Sequence, residues 1–380
     1  MHNVNWERHA RMLATTLEES GDLTSSRLRE AVISTPRHVF LPHYFEASGG
    51  SPTLWVERKD TDGDAWLSPI YSNTTLVTEL DPKTAKQVEG GWNGHPTSSS
   101  TQPGLVVRML EALGIRPEHD VLDAGLGTAY QAALIAHCLR DSHQLTAGDI
   151  GTTEPAHKRL DELGYSPTVI RADATKWDWK RQFDRIVFSF GLPRVTDSIR
   201  WAVAPGGRII ANIFGPISSG LVVLDAKKKG ALEGPFLKRG GSFMPARHEQ
   251  QDMPQADLSS TAEGWTDVPL ADFGNHHFLF LLAAHLPGVN LQFGTDGGRT
   301  TRRLVLPDGR WGEAVYTRQE GARPVFREQG ESVWEDVERV WTWWADNGRP
   351  HWDKFGLTVG NDGTHRLWYR SPEGDSWVLR

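Results

Sequence analysis

The chain has 380 residues, too many for one ordinary compact domain of about 100–200 residues, so at least two domains are expected. Its formal net charge of −7 provides no general basic surface for a nucleic-acid backbone, and no nucleic-acid partner is expected. One cysteine, Cys138, excludes an intramolecular disulfide framework and points to a reducing, cytoplasmic setting.

The N-terminal stretch MHNVNWERHARML is polar, carries both signs of charge and lacks the apolar core of a secretion signal. No run of about 18 apolar residues occurs, so no membrane partner is expected. Residues 5–33 predict helices, with Leu13, Leu17, Leu28 and Val32 at helical spacing and Ser25 or Ser26 as a cap. Pro36 and Pro42 then break STPRHVFLPHYF (34–45). Residues 48–98 are rich in Gly, Pro, Ser, Thr and Asn and predict loops with one or two strands, TTLVTEL (74–80) among them.

From residue 103 the pattern becomes regular. PGLVVRMLEALG (103–114) predicts a helix with Pro103 in its first turn and Gly114 at its stop. DVLDAG (120–125), QLTAGDI (144–150), PTVIRADA (167–174), FDRIVFSFG (183–191) and RIIANIFG (208–215) read as strands. YQAALIAHCLR (130–140), EPAHKRLDELG (154–164) and VTDSIRWAVAPGG (195–207) read as the helices between them. Strands alternating with helices of this length predict a doubly wound, parallel α/β sheet.

Residues 220–247 are expected to add two strands. After a polar stretch at 251–264, the rest predicts an α+β domain. Its strand-like pieces include HHFLFLLAAHL (276–286), and its one strong helix is SVWEDVERVWTWWADNG (332–348). Eight of the sixteen tryptophans lie after residue 310, suited to a core or to a binding surface. The expected organisation is an N-terminal helical and loop region on the substrate side (1–98), a Rossmann-like domain (99–250) and a Trp-rich C-terminal recognition domain (251–380).

The strongest chemical signal is VLDAGLGTAYQAALIA (121–136). Gly125 and Gly127 permit a tight turn and close approach of a ligand to the backbone. Three acids, Asp123, Asp149 and Asp173, end successive strands at the carboxyl edge, where ligands bind in this architecture. Asp149 is placed for ribose hydroxyls, while a turn residue for Asp149 and a cap for Asp173 are the plain alternatives. A dinucleotide site would want a third glycine, which Tyr130 replaces, and no carboxylate facing the phosphates. Asp123 suits a cationic ligand instead, such as the sulfonium and ammonium of S-adenosyl-L-methionine. The fifteen histidines show no ligand spacing, and His276-His277 would point to opposite faces of a strand, so no metal is expected.

Residues 35–215 resemble the protein-L-isoaspartate O-methyltransferase family. The likeness is carried by TPRHVFLP (35–42), SSSTQPGLVVRMLEAL (98–113), VLDAGLGTAYQAALIA, FDRIVFSFGLP (183–193) and APGGRIIANI (204–213). It implies a Rossmann-like class I methyltransferase fold and conversion of S-adenosyl-L-methionine to S-adenosyl-L-homocysteine. It implies a cofactor set of Asp123, Gly125, Gly127, Thr128, Gln131, Asp149, Ile150, Asp173, Ala174 and Ser189. It also implies that a hydroxyl from Thr101 or Ser100 faces the carboxylate being methylated, with Arg37, His38, Ser99 and Gln102 on the substrate side. The family carries a serine two residues before the proline, where Thr101 stands, so both hydroxyls remain open. Arg37 and His38 are open between substrate contact and surface.

The tail WTWWADNGRPHWDKFGLTVGNDG (341–363) resembles the extension of family members that act in maturation of ribosomally made graspetide peptides. That resemblance implies methylation of an aspartyl carboxylate in a modified precursor peptide, followed by closure to an aspartimide. The alternatives are general isoaspartyl repair and a non-catalytic peptide-binding module.

Overall fold

The computed structural model describes residues 5–50, 53–246, 262–317, 323–329 and 333–379. Two compact units emerge: Met1–Ser189 with Trp201–Ile210, and Phe190–Arg200 with Ala211–Arg380. The boundary expected at 250/251 lies outside the described residues.

The first unit begins with α1 (Trp6–Glu19) and α2 (Ser26–Ser34). Asn5 caps α1 by accepting from the Arg8 N–H, and Ser25 caps α2 by accepting from the Leu28 N–H. Ala10, Leu13, Ala14 and Leu17 form the buried face of α1. Then come β1 (His43–Ala47), β2 (Trp55–Lys59), α3 (Asp64–Ile70), β3 (Leu76–Leu80), β4 (Lys86–Val88), β5 (Gly91–Asn93) and β6 (Pro96–Ser100). The strands make a six-stranded sheet in the order β4-β5-β2-β1-β3-β6. More strand forms in 48–98 than the sequence led us to expect. Pieces such as Lys86–Val88 and Gly91–Asn93 have no apolar alternation; their ladder partners hold them. This sheet positions its last strand, which ends at Ser100.

The alternating pattern follows as α4 (Pro103–Leu113), β7 (Val121–Ala124), α5 (Tyr130–Cys138), β8 (Leu145–Asp149), α6 (Glu154–Glu162), β9 (Thr168–Arg171), β10 (Phe183–Leu192), α7 (Asp197–Ala202) and β11 (Val203–Phe214). In the first unit β9, β8, β7 and β10 lie side by side and parallel. Their register sets Asp123 opposite Ala147 on one side and Val187 on the other. The helix expected over 195–207 stops at Ala202, because β11 takes the chain from Val203. Both β10 and β11 contribute residues to the two units.

The second unit continues with β12 (Ser219–Ala226), β13 (Leu232–Pro235), β14 (Ala262–Trp265), α8 (His276–His285), β15 (Asn290–Asp296), β16 (Arg299–Val305), β17 (Trp311–Tyr316), β18 (Val325–Gln329), α9 (Val333–Asp346), β19 (Phe355–Val359), β20 (His365–Tyr369) and β21 (Ser376–Val378). Strands β12, β13, β19, β20 and β21 pair antiparallel in that order, and a separate five-stranded sheet runs β14-β18-β17-β16-β15. The 276–286 run, grouped with the strands in the sequence, is the helix α8. It is long enough for nearly three turns and contains Leu and Ala but no β-branched residue. It is apolar all round because both sides are covered. Phe280 meets Phe236 and Phe355, while Phe278 meets Trp344 of α9. Trp311, Trp334 and Trp344 are fully buried, so the tryptophans of this region chiefly build its core. No helix among the described residues is long and apolar enough to cross a membrane.

Candidate active site

The turn from β7 into α5 is made by backbone conformations that side chains oppose. Gly125 has φ 97° and Gly127 has φ 48°. Gly125 and Leu126 donate their N–H groups to the Gly148 carbonyl, tying the turn to the end of β8. Ala129, at φ 73°, holds a left-handed conformation unusual for a residue with a Cβ, directly before α5.

Asp123 projects from the end of β7 with no exposed surface. Gln131 of α5 donates to its Oδ1 at 2.6 Å and to the Ser189 hydroxyl at 2.8 Å, linking β7, α5 and β10. The Asp123 Oδ2 is buried and has no hydrogen-bond partner among the described residues. Burial pushes this carboxyl up to about 7; the Gln131 bond pulls it down and the charge of Asp149 adds to the rise. A buried carboxylate with an unused oxygen is costly unless a donor or cation meets it.

Asp149 accepts from the backbone of Gly127 at 3.0 Å and of Gly151 at 2.8 Å, so it fixes the glycine turn and keeps lone pairs toward the sheet edge. The Ile150 carbonyl accepts from Arg171 Nε. Asp173 accepts from the Thr175 N–H and hydroxyl, so one of its oxygens serves a local turn, with Lys176 3.7 Å from the other. Ala174 is buried beside it, and Thr128 is half-buried in the glycine turn. The orphaned Asp123 oxygen, the side-chain-free turn and Asp149 at the next strand tip fit a nucleoside with a cationic sulfur substituent. Among the described residues no group of three or more His, Cys, Asp or Glu could hold a metal ion.

The second cluster surrounds the end of β6. Arg37 was open between substrate contact and surface, but its side chain is fully buried. Its guanidinium donates to the Ile70 carbonyl, to the Ser100 hydroxyl at 3.1 Å and to the Thr101 carbonyl at 3.2 Å. It lies 5.3 Å from the Tyr130 ring centroid, and burial pushes it down to about 10. A cation with this many internal acceptors shapes the loop that carries the hydroxyls rather than reaching a substrate itself. Ser100 is buried and its hydroxyl accepts from Arg37. Thr101 is half-buried, and its hydroxyl makes no hydrogen bond among the described residues. Ser99 is half-buried in β6, opposite Val77 of β3.

Gln102 donates its side-chain amide to the Asn73 carbonyl, and its N–H goes to Thr75. The Gly104 N–H is accepted by the Asn73 side chain at 2.8 Å. His38 contacts Tyr71 through Nδ1 at 2.8 Å, and burial lowers its tendency to protonate.

Tyr130 and Gln131 are neighbours on α5, so the Arg37 cluster and the Asp123 cluster are joined through one helical turn. Sequence reasoning missed Tyr71, Asn73 and Thr75. The available signal was the polar run YSNTT (71–75) just ahead of a strand, the composition of a loop that holds another loop.

A parallel sheet with acids at its strand tips, a glycine turn into a helix and an unused buried carboxylate oxygen define a Rossmann-like class I methyltransferase. The family model described as Protein-L-isoaspartate(D-aspartate) O-methyltransferase (PCMT) matches residues 84–250. The protein-L-isoaspartate O-methyltransferase of Stenotrophomonas maltophilia (strain R551-3) is 34% identical over 224 residues, covering 58% of this chain and 81% of that protein. That of Geobacter metallireducens is 28% identical over 224 residues, covering 58% of this chain and 86% of that protein. The chain belongs to the protein-L-isoaspartate O-methyltransferase family, and is a protein carboxyl O-methyltransferase dependent on S-adenosylmethionine. A solved protein-L-isoaspartate O-methyltransferase structure matches with a TM-score of 0.54 at 18% identity, over 95% of this chain and all of that one. At that identity the likeness is one of fold, and it reaches well beyond the portion matched by the sequence relatives.

Proposed function

We propose that this enzyme methylates a side-chain carboxylate of an aspartyl or isoaspartyl residue in a peptide. The observation that carries the reading is the buried Asp123 carboxylate with one oxygen unused, beside a turn open to a ligand. S-adenosylmethionine supplies an electrophilic methyl group on a cationic sulfur. Asp123, ionised, provides the counter-charge for the cationic end of that cofactor, held in line by Gln131 and Ser189. Gly125, Gly127 and Thr128 give the close approach. Asp149 and Ile150 take the ribose side, and Asp173 and Ala174 the base.

On the substrate side, Thr101 donates a hydrogen bond to the acceptor carboxylate. The Ser100 hydroxyl accepts from Arg37, which holds the loop, and keeps its own proton as the alternative donor; Ser99, Gln102 and His38 shape the surroundings. A peptide carboxylate with a pKa of about 3.9 is already ionised at neutral pH, so no general base is needed. The work falls to alignment and to stripping water from the carboxylate. Residues 1–98 would serve the substrate side, 99–250 the cofactor, and 251–380 recognition.

The finer reading is that the substrate is a constrained, ribosomally made peptide of graspetide type. There the methyl ester of an aspartate gives way to ring closure by the next backbone nitrogen, with loss of methanol. The tail resemblance supports it. General isoaspartyl repair is the second reading, favoured by the names of the relatives. Mass spectrometry separates them. Robust methyl transfer to a linear isoaspartyl peptide, with none to a macrocyclic aspartyl peptide, favours repair. A gain of one methyl followed by loss of methanol on the macrocycle alone favours tailoring. No transfer to either, with cofactor bound, would overturn both.

A further inference from the structure

The five-stranded sheet of the second unit ends at β15, and among the described residues no strand pairs with the outer edge of β15. β15 and β16 pair in unbroken register from Asn290↔Val305 to Asp296↔Arg299, closed by the two-residue turn Gly297-Gly298 with φ 54° and 79°. A two-residue turn of this kind makes its closing pair hydrogen-bonded, and the pattern then alternates along the strand. The backbone N–H and C=O groups of Thr295, Phe293 and Leu291 therefore face outward, away from β16. Natural edges are usually blunted by Lys, Pro or a bulge. The β15 sequence, NLQFGTD, has none of the three.

The side chains on this edge are equally distinctive. Phe293 is 66% exposed at the centre of the strand. The Arg302 guanidinium lies 4.5 Å from its ring centroid, on the same face. Among the described residues Arg302 has no carboxylate partner, and its buried Nε has no acceptor. The neighbouring cations are matched: Arg299 pairs with Asp296, and Arg303 and Arg327 share Glu313. An unblocked backbone edge, an exposed ring and one unmatched cation are thus brought together on one strand pair.

We infer that the β15 edge binds an extended acidic segment of a peptide by strand addition, with an acidic side chain of that segment meeting Arg302 and an apolar one covering Phe293. This deepens the peptide-substrate reading and rests on it, naming a handle distant in sequence from the residues that carry the chemistry. A second copy of this chain is the competing occupant. Antiparallel pairing of two β15 edges would offer Arg302 only the Leu291, Phe293 and Thr295 face of the other β15, which carries no carboxylate.

The test uses the full chain and a fluorescein-labelled peptide of about eight residues, Val-Thr-Glu-Thr repeated, which places valine and glutamate in turn on one strand face and is long enough to span the three outward residues. Anisotropy should report binding, weakened about fivefold or more by Phe293→Ser and by Arg302→Gln, with the same peptide carrying lysine in place of glutamate binding less well. Equal binding to the wild type and both variants, or indifference to peptide charge, would overturn the proposal. So would a wild-type dimer in sedimentation that Phe293→Ser splits, with no peptide bound, since the edge would then serve a second copy. Methyl transfer to a short isoaspartyl peptide without the acidic segment should be the same in both variants and the wild type. Its absence from the wild type would count against the catalytic reading, while its presence without peptide binding would count against the β15 edge alone.

Discussion

Gln131 donates to one oxygen of Asp123 at 2.6 Å and leaves the other, equally buried, with no partner among the described residues. A fold retains such an arrangement when something outside the chain completes it. The cationic end of S-adenosylmethionine is the complement the chemistry asks for.

Stability without cofactor should fall as pH rises from about 4 to about 7. The Asp123 carboxyl is pushed up to about 7 in the folded chain from its usual 3.8. The fold therefore prefers the protonated form, and the resulting stability is complete below 3.8 and lost as pH rises through 7. Binding a cation favours the ionised form. The rise in melting temperature on adding S-adenosylmethionine should thus be larger at pH 8 than at pH 6. Differential scanning fluorimetry measures it, and an equal or smaller rise at pH 8 would contradict the assignment of Asp123.

Thr101 and Ser100 should separate in their effects. Thr101→Ala removes the free hydroxyl and should lower kcat about 10- to 100-fold with cofactor affinity unchanged, while Thr101→Ser retains most activity. Ser100→Ala deprives buried Arg37 of an acceptor and should cost about 1–2 kcal/mol of stability. Steady-state kinetics beside denaturant unfolding distinguishes the two. Loss of turnover with Ser100→Ala but not with Thr101→Ala would reverse the roles.

Much of this was legible in the residues, and the failures have physical causes. The strand tips could be read because Val121-Leu122-Asp123 and the run ending at Asp149 switch abruptly from apolar to acidic. Arg37 could not: an arginine beside a proline resembles a surface residue until its acceptors, Ile70, Ser100 and Thr101, are brought around it from distant sequence. Ser100 and Thr101 differ in that same bond, which only the folded chain brings together. The run at 276–286 was ambiguous because a helix buried on both sides has no amphipathic period. Strands β4 and β5 are held by partners rather than by their own pattern.

Replacing Arg37 should be expensive. Arg37→Met leaves four acceptors, the Ile70, Ser72 and Thr101 carbonyls and the Ser100 hydroxyl, without their donor and should destabilise the chain by about 2–4 kcal/mol. Arg37→Lys keeps the charge but cannot reach the same set at once, and should retain folding with reduced turnover. Chemical denaturation and kinetics on the pair check it. Wild-type stability in Arg37→Met would show that the network contributes little.

Trp344 tests whether the tryptophans of the second unit are core or surface. It is fully buried against Phe278 and donates to the Pro350 carbonyl. Trp344→Ala should cost about 3–5 kcal/mol, read as a lower denaturation midpoint. An unchanged midpoint would remove it from the core.

The most direct test of the cofactor pocket is isothermal titration calorimetry of S-adenosylmethionine into the wild type and Asp123→Asn, at pH 7 in two buffers of different ionisation heat. The wild type should bind with release of about half a proton, visible as a buffer-dependent heat. Asp123→Asn should melt no lower than the wild type yet bind at least about tenfold more weakly, without proton release. Equal binding by both proteins, or no heat from the wild type with either the cofactor or S-adenosylhomocysteine, would contradict the account.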